Sequence, residues 1–231
     1  MFLAVDKPQW ITSFDVIRRL KRQFPKKTKI GHSGTLDPMA TGLLIIAVEK
    51  DTKRLQEFLG ADKSYETTID FSQTTDTWDA DFWELHEQYP YTKEYVTIND
   101  TNISAPSLEE IQEKLSTLIP SATLPLTPFS AKKKDGKKFY ELARAGIEVN
   151  EVREMQVHSY EIVSYTFPTL QLKLDVWSGT YIRSIGYWLG KEFGLWGILT
   201  SLRRTKVADI DIGTLTLDQS VENISYTEVV I

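Results

Sequence analysis

Cysteine is absent from this chain of 231 residues, and only three histidines are present. The lack of cysteine excludes disulfides, thiolate metal sites and cysteine nucleophiles, and the scarcity of histidine leaves little material for an imidazole metal site. Apolar runs are too short to span a membrane, and Asp6 and Pro8 interrupt the opening residues where a signal peptide would need an apolar core. We therefore expect a cytoplasmic protein that is not bound to a membrane.

The charge is unevenly distributed along a chain whose net charge is −5. Seven basic residues and no acidic ones lie between Arg18 and Lys29, and "KKKDGKK" at Lys132 to Lys138 holds five lysines and one aspartate. Such clusters either bind a polyanion on one face or form a solvated surface that keeps the protein soluble. Charge alone leaves both interpretations open.

Helical and strand patterns are interspersed, without the regular alternation of a doubly wound fold. Capping boxes at Thr12–Asp15 and Ser107–Glu110 precede apolar residues at helical spacing, which predicts two capped helices. The run "GLLIIAV" is typical of a strand buried on both faces, and "VADIDIG" is predicted to be the last strand. The fold class that follows is α+β: a mixed, largely antiparallel sheet with flanking helices.

The stretch "IGHSGTLDPMATGLL", Ile30 to Leu44, is predicted to contain a glycine-bracketed loop followed by the buried strand. Its three glycines permit unusual backbone geometry and close approach of a ligand. Pro38 restricts the backbone of Asp37 to extended conformations, so the position of this carboxylate is partly fixed. The residues alone leave two alternatives: an ordinary Asp-Pro turn, or an acid held in place for nucleophilic or acid–base chemistry.

The same stretch resembles the signature loop of TruB-type tRNA pseudouridine synthases, G-H-x-G-x-L-D-P-x-A-x-G-x-L. Further elements of that family recur in the same order over nearly the whole chain. They are "DKP" and "TS" near the N-terminus, "DKSYE", "TDTWDAD", "SAKKKDGKKFYELAR", "SGTYIRSI" and "LRRT".

This resemblance implies the pseudouridine synthase fold and the isomerisation of a uridine in the T loop of tRNA, usually position 55. The N1–C1′ bond breaks, the uracil turns, and a C5–C1′ bond forms. A base in a folded loop must first be flipped out, at a cost of a few kcal/mol. The resemblance implies neither a metal nor an organic cofactor, and the expected partner is the T arm of tRNA, bound by a monomer.

Three side chains are the implied catalytic group. Asp37 is the catalytic carboxylate, for which attack at C1′, attack at C6 and stabilisation of an intermediate are alternatives. Tyr65 stacks on the target base, and Arg183 pairs with Asp37 and favours its ionised form. The implied nucleotide pocket is lined by His32, Tyr65, Tyr181 and Leu202. Predicted phosphate contacts are the lysines Lys7, Lys53, Lys132, Lys133, Lys134 and Lys137.

Some positions depart from the family pattern, since Trp10, Ser72 and Phe82 stand where glycine is usual. We expect residues 1–231 to form a single catalytic domain, with the C-terminal PUA domain of many relatives absent or vestigial. Two other functions stay open: a tRNA-binding module without turnover, and a carboxylate hydrolase of glycosidic bonds. The second normally needs two cooperating acids, whereas the motif offers one acid and an arginine.

Overall fold

The computed structural model describes residues 1–80, 96–97, 104–130, 133–134, 136–147, 150–217 and 224–229. The chain divides into two compact units, each made of separate stretches. The first unit comprises Met1–Glu66, Asp175–Ser178 and Leu202–Ile231, and the second Thr67–Leu174 and Gly179–Ser201. No helix in the described part of the chain is long and apolar enough to cross a membrane. The expectation of a single catalytic domain stays a prediction.

The described part of the chain contains fourteen strands and five α-helices. The strands are β1 Phe2–Lys7, β2 Ile30–Ser33, β3 Thr41–Val48, β4 Lys63–Asp70, β5 Gln73–Thr74, β6 Val96–Thr97, β7 Ser121–Pro125, β8 Lys133–Lys134, β9 Lys137–Lys138, β10 Val152–Thr166, β11 Thr169–Val176, β12 Ile198–Val207, β13 Ile210–Asp211 and β14 Thr227–Val229. The α-helices are α1 Ser13–Leu20, α2 Gln56–Leu59, α3 Leu108–Ser116, α4 Phe139–Arg144 and α5 Ile182–Glu192.

The first unit is built around β3. In strand order β14-β1-β3-β12, β1 lies antiparallel to both β14 and β3, whereas β12 runs parallel to β3 with Arg204 opposite Gly42. Both faces of β3 are covered: Leu44 and Ile46 pack against α1, and Ile45 packs with Phe58 on the other face. The prediction of a strand buried on both faces is therefore confirmed.

The second unit contains β7 and β10, residues 67–70 of β4, residues 169–174 of β11 and most of the helices, with the strand order β4-β11-β10-β7. Strand β10 pairs antiparallel with β7, from Val152 opposite Pro125 to Gln156 opposite Ser121. Helix α5 is mostly buried, and glycines allow close approach: a Cβ added to Gly190 would lie 2.0 Å from the Trp196 carbonyl oxygen. The mixed, largely antiparallel sheet with flanking helices is the predicted fold class, which is confirmed.

Two sequence expectations about local structure were wrong. Residues Ile30–Ser33 form strand β2, antiparallel to Ile45–Val48 of β3, so His32 lies on a strand and the loop is confined to residues 34–40. The segment "VADIDIG" is not one strand, because Ala208 has a φ of 51° and the chain reverses between β12 and β13. The last described strand is β14.

Candidate active site

Asp37 begins a tight turn whose main chain is held by hydrogen bonds. The amide of Ala40 donates to the carbonyl oxygen of Asp37 at 3.0 Å, and Pro38 occupies the second turn position, which its fixed φ suits. Leu36 on one side of Asp37 is 3% exposed, while Asp37 itself is only half-buried. The turn therefore anchors the main chain in the protein and leaves the carboxylate partly accessible.

Lys7, Trp10 and Ser13 of the N-terminal motif "DKPQWITS" hold the main chain on both sides of Asp37 by hydrogen bonds. These three residues form what we call the clamp. The Ser13 hydroxyl accepts from the Leu36 amide at 2.9 Å and donates to the Leu36 carbonyl at 3.2 Å. The Pro38 carbonyl accepts from the Trp10 amide at 2.8 Å and from Lys7 Nζ at 3.2 Å. With the Asp37–Ala40 bond, the backbone of three consecutive residues around the acid is hydrogen-bonded.

Lys7 is a clamp residue rather than the predicted phosphate contact. Its side chain is fully buried, and Nζ donates to the carbonyls of Pro8, Ile11 and Pro38 at 2.9, 2.7 and 3.2 Å. An ammonium group has three donors, and all three have carbonyl acceptors inside the protein. The position corrects the prediction that Lys7 contacts a phosphate.

Ser13→Ala is expected to lower the free energy of unfolding by about 2 kcal/mol, because the buried Leu36 amide and carbonyl lose their partner. Urea denaturation measures the change. The control is Ser116→Ala, since the Ser116 hydroxyl is exposed and donates to the Glu113 carbonyl of its own helix. The control should stay within about 0.5 kcal/mol of the parent, and an equally small effect at Ser13 would contradict the clamp.

Arg204 on β12 holds the chain on either side of this turn. Its side chain is 1% exposed, and it donates from Nε to the Leu43 carbonyl at 2.7 Å and from Nη2 to the Gly34 carbonyl at 3.0 Å. A Cβ added to Gly34 would lie 3.2 Å from Arg204 Nη1, and one added to Gly42 only 2.2 Å from the Arg204 carbonyl oxygen. The glycines thus let the loop close on a buried arginine.

The side chains beside Gly34 make this part of the first unit electropositive. Burial, with the neighbouring Arg204 charge, lowers the pKa of Lys63 to about 8 and also lowers the pKa of His32 from its usual value. Lys63 Nζ donates to the carbonyls of Phe58, Leu59 and Ala61. An electropositive surrounding suits a site that receives a polyanion.

Tyr65 and Leu202 are related to the Gly34 loop by strand periodicity. Tyr65 lies two residues after Lys63 on β4, and Leu202 two residues before Arg204 on β12. Each therefore shares a strand face with a residue whose side chain lies within 4 Å of the position that a Cβ on Gly34 would take. Both are buried, with 8% and 6% of their surfaces exposed. Tyr65 and Leu202 therefore face the side of their strands on which the loop lies.

Arg183 is held in the second unit, near the start of α5, and is 4% exposed. Its guanidinium donates to the Thr77 carbonyl at 2.9 Å, to Thr127 Oγ1 at 3.3 Å and to the Phe129 carbonyl at 3.0 Å. Arg183 Nε also lies 3.4 Å from Asp79 Oδ2. Because Asp37 belongs to the first unit, the pairing of Asp37 with Arg183 stays a prediction.

Asp79 is a residue to which the sequence assigned no role. It is 1% exposed and is fixed by the two threonines of "TDTWD": Thr77 Oγ1 donates to Asp79 Oδ1 at 2.6 Å, and Thr75 Oγ1 donates to the Asp79 carbonyl at 2.8 Å. This geometry aims the other carboxylate oxygen at Arg183. The spacing of the two threonines before an acid was the available sequence signal.

The remaining predicted contacts are spread over both units. Tyr181 is the half-buried residue that precedes α5, and its amide donates to Met155 Sδ at 3.4 Å. Lys53 and Lys137 are exposed, and Lys133–Lys134 pairs with Lys137–Lys138 in a hairpin whose turn contains Gly136. Lys132 lies outside the described residues.

The three departures from glycine have different outcomes. Trp10 has a φ of 64°, in the left-handed region that favours glycine. A side chain at this position therefore raises the conformational free energy of the backbone. Ser72 does not have a positive φ; its amide and hydroxyl both donate to Asp70 Oδ1. Phe82 lies outside the described residues.

Solved structures of similar fold include a Cbf5-Nop10-Gar1 complex, with a TM-score of 0.64 and 21% identity over 91% of this chain. Another is an H/ACA ribonucleoprotein bound to a substrate RNA that contains 2′-deoxyuridine, with a TM-score of 0.61 and 20% identity. This chain spans about half the length of the matched chain in each, 50% and 49%. At these identities the likeness concerns the fold.

Relatives of higher identity are named tRNA pseudouridine synthase B. That of Flavobacterium johnsoniae is 37% identical over 91% of this chain and 89% of its own length. That of Chloroherpeton thalassium is 34% identical over 98% and 91%, and that of Aquifex aeolicus 38% identical over 91% and 69%. The model of the TruB family pseudouridylate synthase N-terminal domain matches residues 21–182. On this evidence the chain belongs to the TruB family of pseudouridylate synthases.

Proposed function

We propose that this protein is a tRNA pseudouridine synthase that isomerises a uridine in the T loop, at position 55, with Asp37 as its catalytic carboxylate. The observation that carries the proposal is the clamped turn: the backbone around Asp37 is hydrogen-bonded at Leu36, Asp37 and Pro38 while the acid is only half-buried. A catalytic group needs this combination of fixed position and access to substrate. The name shared by the relatives supports the same activity.

The reaction itself makes modest chemical demands. The uracil leaves C1′ through N1 and returns through C5; in the product N1 carries a proton and C5 has lost one, so atoms balance without oxidant, water or metal. The target base must leave the loop stack before C1′ becomes accessible, at a cost of a few kcal/mol. Stacking on an aromatic ring returns about 1–3 kcal/mol per base.

Tyr65 is the proposed stacking partner of the extruded base, and Arg183 is the proposed partner of the Asp37 carboxylate. The burial of Arg183 and its fixed hydrogen bonds support a role for its charge inside the protein rather than on the surface. His32, Tyr181 and Leu202 are proposed to line the nucleotide pocket. The partial burial of Tyr181 and His32 is compatible with contact to a ligand.

The proposed partner is the T arm of tRNA, bound by a monomer of this chain. Lys53 and Lys137, which are exposed, and the neighbouring Lys132, Lys133 and Lys134 are proposed phosphate contacts. Such contacts position the RNA without specifying its sequence. Lys7 is not included because its ammonium group is bound to backbone carbonyls.

The proposal is tested with a T-arm RNA that carries tritium at uracil C5. The parent should release tritium to water, and Asp37→Asn should release it at least about a thousandfold more slowly, because the amide cannot act as the carboxylate. The control is Asp209→Asn, in the exposed turn between β12 and β13, which should behave as the parent.

Three results would contradict the proposal. RNA binding without tritium release by the parent would indicate a binding module. Free uracil among the products would indicate a hydrolase. Release that persists in Asp37→Asn would assign the chemistry to another residue.

A further inference from the structure

Basic side chains crowd the surface of α1 and of the chain that follows it. We define the basic segment as residues 18–29, which contain seven basic and no acidic residues. Six of the seven are exposed: Arg18, Lys21, Arg22, Lys26, Lys27 and Lys29. On a chain with a net charge of −5, this is a strong local reversal of sign.

Most of these cations lack an ion-pair partner among the residues that the structure describes. Arg18 lies 3.0 Å from an Asp15 carboxylate oxygen. By contrast, no carboxylate in the described part of the chain forms an ion pair with the side chains of Lys21, Arg22, Lys26, Lys27 or Lys29. These five side chains are also exposed, so that an external anion can reach them.

The backbone of the basic segment is anchored between these cations. Phe24 stacks on Tyr226 with ring centroids 6.0 Å apart, and Gln23 Nε2 donates to the Ile224 carbonyl at 3.0 Å. At its end, the Lys29 amide donates to Glu49 Oε1 at 3.0 Å, and the Glu49 amide donates to the Lys29 carbonyl at 2.8 Å. A charged run that served only solubility would not require such anchoring.

The basic segment is connected to the turn that carries Asp37. Helix α1 begins at Ser13, whose hydroxyl is bonded to Leu36, and it runs for eight residues. Eight helical residues measure about 12 Å at 1.5 Å per residue. The unpaired cations therefore begin about one such helix length from the clamp, within reach of nucleotides that flank the one at Asp37.

We propose that the basic segment binds the phosphate backbone of the tRNA whose uridine enters the site at Asp37. This inference rests on the proposed function and adds a binding surface to it, separate from the lysines named above. Cations that neutralise phosphates release condensed counterions, so their contribution to affinity falls steeply with salt. Because they are remote from the reacting atoms, they contribute to binding rather than to the chemical step.

The test uses K21A/R22A and K26A/K27A, each of which removes two exposed charges that form no ion pair with a described carboxylate. The control K114A/K173A also removes two positive charges, from lysines of the second unit that each face a glutamate. The binding of an unmodified tRNA transcript is measured across a salt titration, and kcat and KM for tritium release are measured in parallel.

Each variant of the basic segment should bind tRNA about tenfold more weakly at 0.1 M salt, and the slope of log K against log salt should become shallower by about 1.5. KM should rise while kcat stays unchanged. The control should match the parent in all four quantities. Urea midpoints equal to that of the parent establish that the variants are folded.

Affinity and salt slope equal to those of the control would overturn the inference, as would a fall in kcat with unchanged binding. These outcomes are distinct from failure of the proposed function. A parent protein that binds tRNA but releases no tritium would contradict the isomerase activity, and the binding comparison would still decide the role of the basic segment.

Discussion

Asp79→Asn is expected to lower the free energy of unfolding by about 3 kcal/mol and to lower kcat at least about a hundredfold. The substitution removes the carboxylate that lies 3.4 Å from Arg183 Nε, and the 1% and 5% exposure of these side chains leaves little water to replace it. The buried Arg183 then loses a counter-charge, and its guanidinium loses one of the contacts that fix its orientation. Urea denaturation and steady-state kinetics measure the two effects.

The residue before Asp79 also contacts α5, and this contact should keep residues 75–79 against α5 in the variant. Trp78 stacks on Tyr187, one turn of α5 beyond Arg183, with ring centroids 3.9 Å apart and planes 6° from parallel. The loss of kcat should therefore report the orientation of Arg183 rather than detachment of residues 75–79 from α5.

The control for Asp79→Asn is Glu192→Gln, which breaks the ion pair between Glu192 and Lys114. The side chain of Glu192 is 34% exposed and that of Lys114 is 40% exposed. Solvent screens this pair, so the variant should lose less than about 1 kcal/mol and retain kcat. If Asp79→Asn behaved like Glu192→Gln in both measurements, Asp79 would not support Arg183.

Gly42→Ala is expected to cost at least about 4 kcal/mol, enough to unfold a marginally stable protein. Gly42 has a φ of 103°, and the added Cβ would lie 2.2 Å from the Arg204 carbonyl oxygen and 2.7 Å from the Arg204 amide nitrogen. Both atoms are backbone of the neighbouring strand β12, so the clash is relieved only by separating β12 from β3.

Gly194→Ala separates the cost of the backbone angle from the cost of the clash. Gly194 has a φ of 67°, but a Cβ added there meets no atom within 4 Å. This control should lose only about 1–2 kcal/mol, the usual cost of a left-handed conformation with a side chain. Thermal unfolding and soluble yield compare the two variants, and equal stability would contradict the close approach of the strands.

Local patterns predicted much of the fold where a signal is confined to a few residues. The capping boxes Thr12–Asp15 and Ser107–Glu110 are both present, with each side chain bonded to the partner backbone. The alternation in "LQLKLDVW" is also present, since Leu170, Leu172, Leu174 and Val176 are all buried. These features depend on neighbours along the chain, which a sequence contains in full.

Partners distant in sequence account for what was missed. Strand β12 contains Arg203 and Arg204, which resemble surface residues in the sequence. Asp6 pairs with Arg203 through two bonds of 3.0 and 2.7 Å, and backbone carbonyls accept from Arg204. His32 was assigned to a loop, whereas its strand β2 pairs with β3 across residues 34–40. Neither partnership is visible in local composition.

The candidate site was predicted unevenly for the same reason. The motif identified Asp37 and the glycines around it, but the hydrogen bonds of Ser13 and Lys7 to the turn depend on a segment more than twenty residues earlier. The sequence does not distinguish a buried lysine whose ammonium group is bound to carbonyls from a lysine on the surface. Its role follows only from the fold.

The most direct test of the account is nucleoside analysis of an unmodified tRNA transcript after incubation with the parent protein and with Asp37→Asn. We predict that the parent forms one mole of pseudouridine per mole of transcript, at a T-loop uridine and with no free uracil. Asp37→Asn should form none. A transcript left unmodified by the parent, or a T loop that has lost uracil to solution, would contradict the claim that the acid held by this clamp catalyses isomerisation.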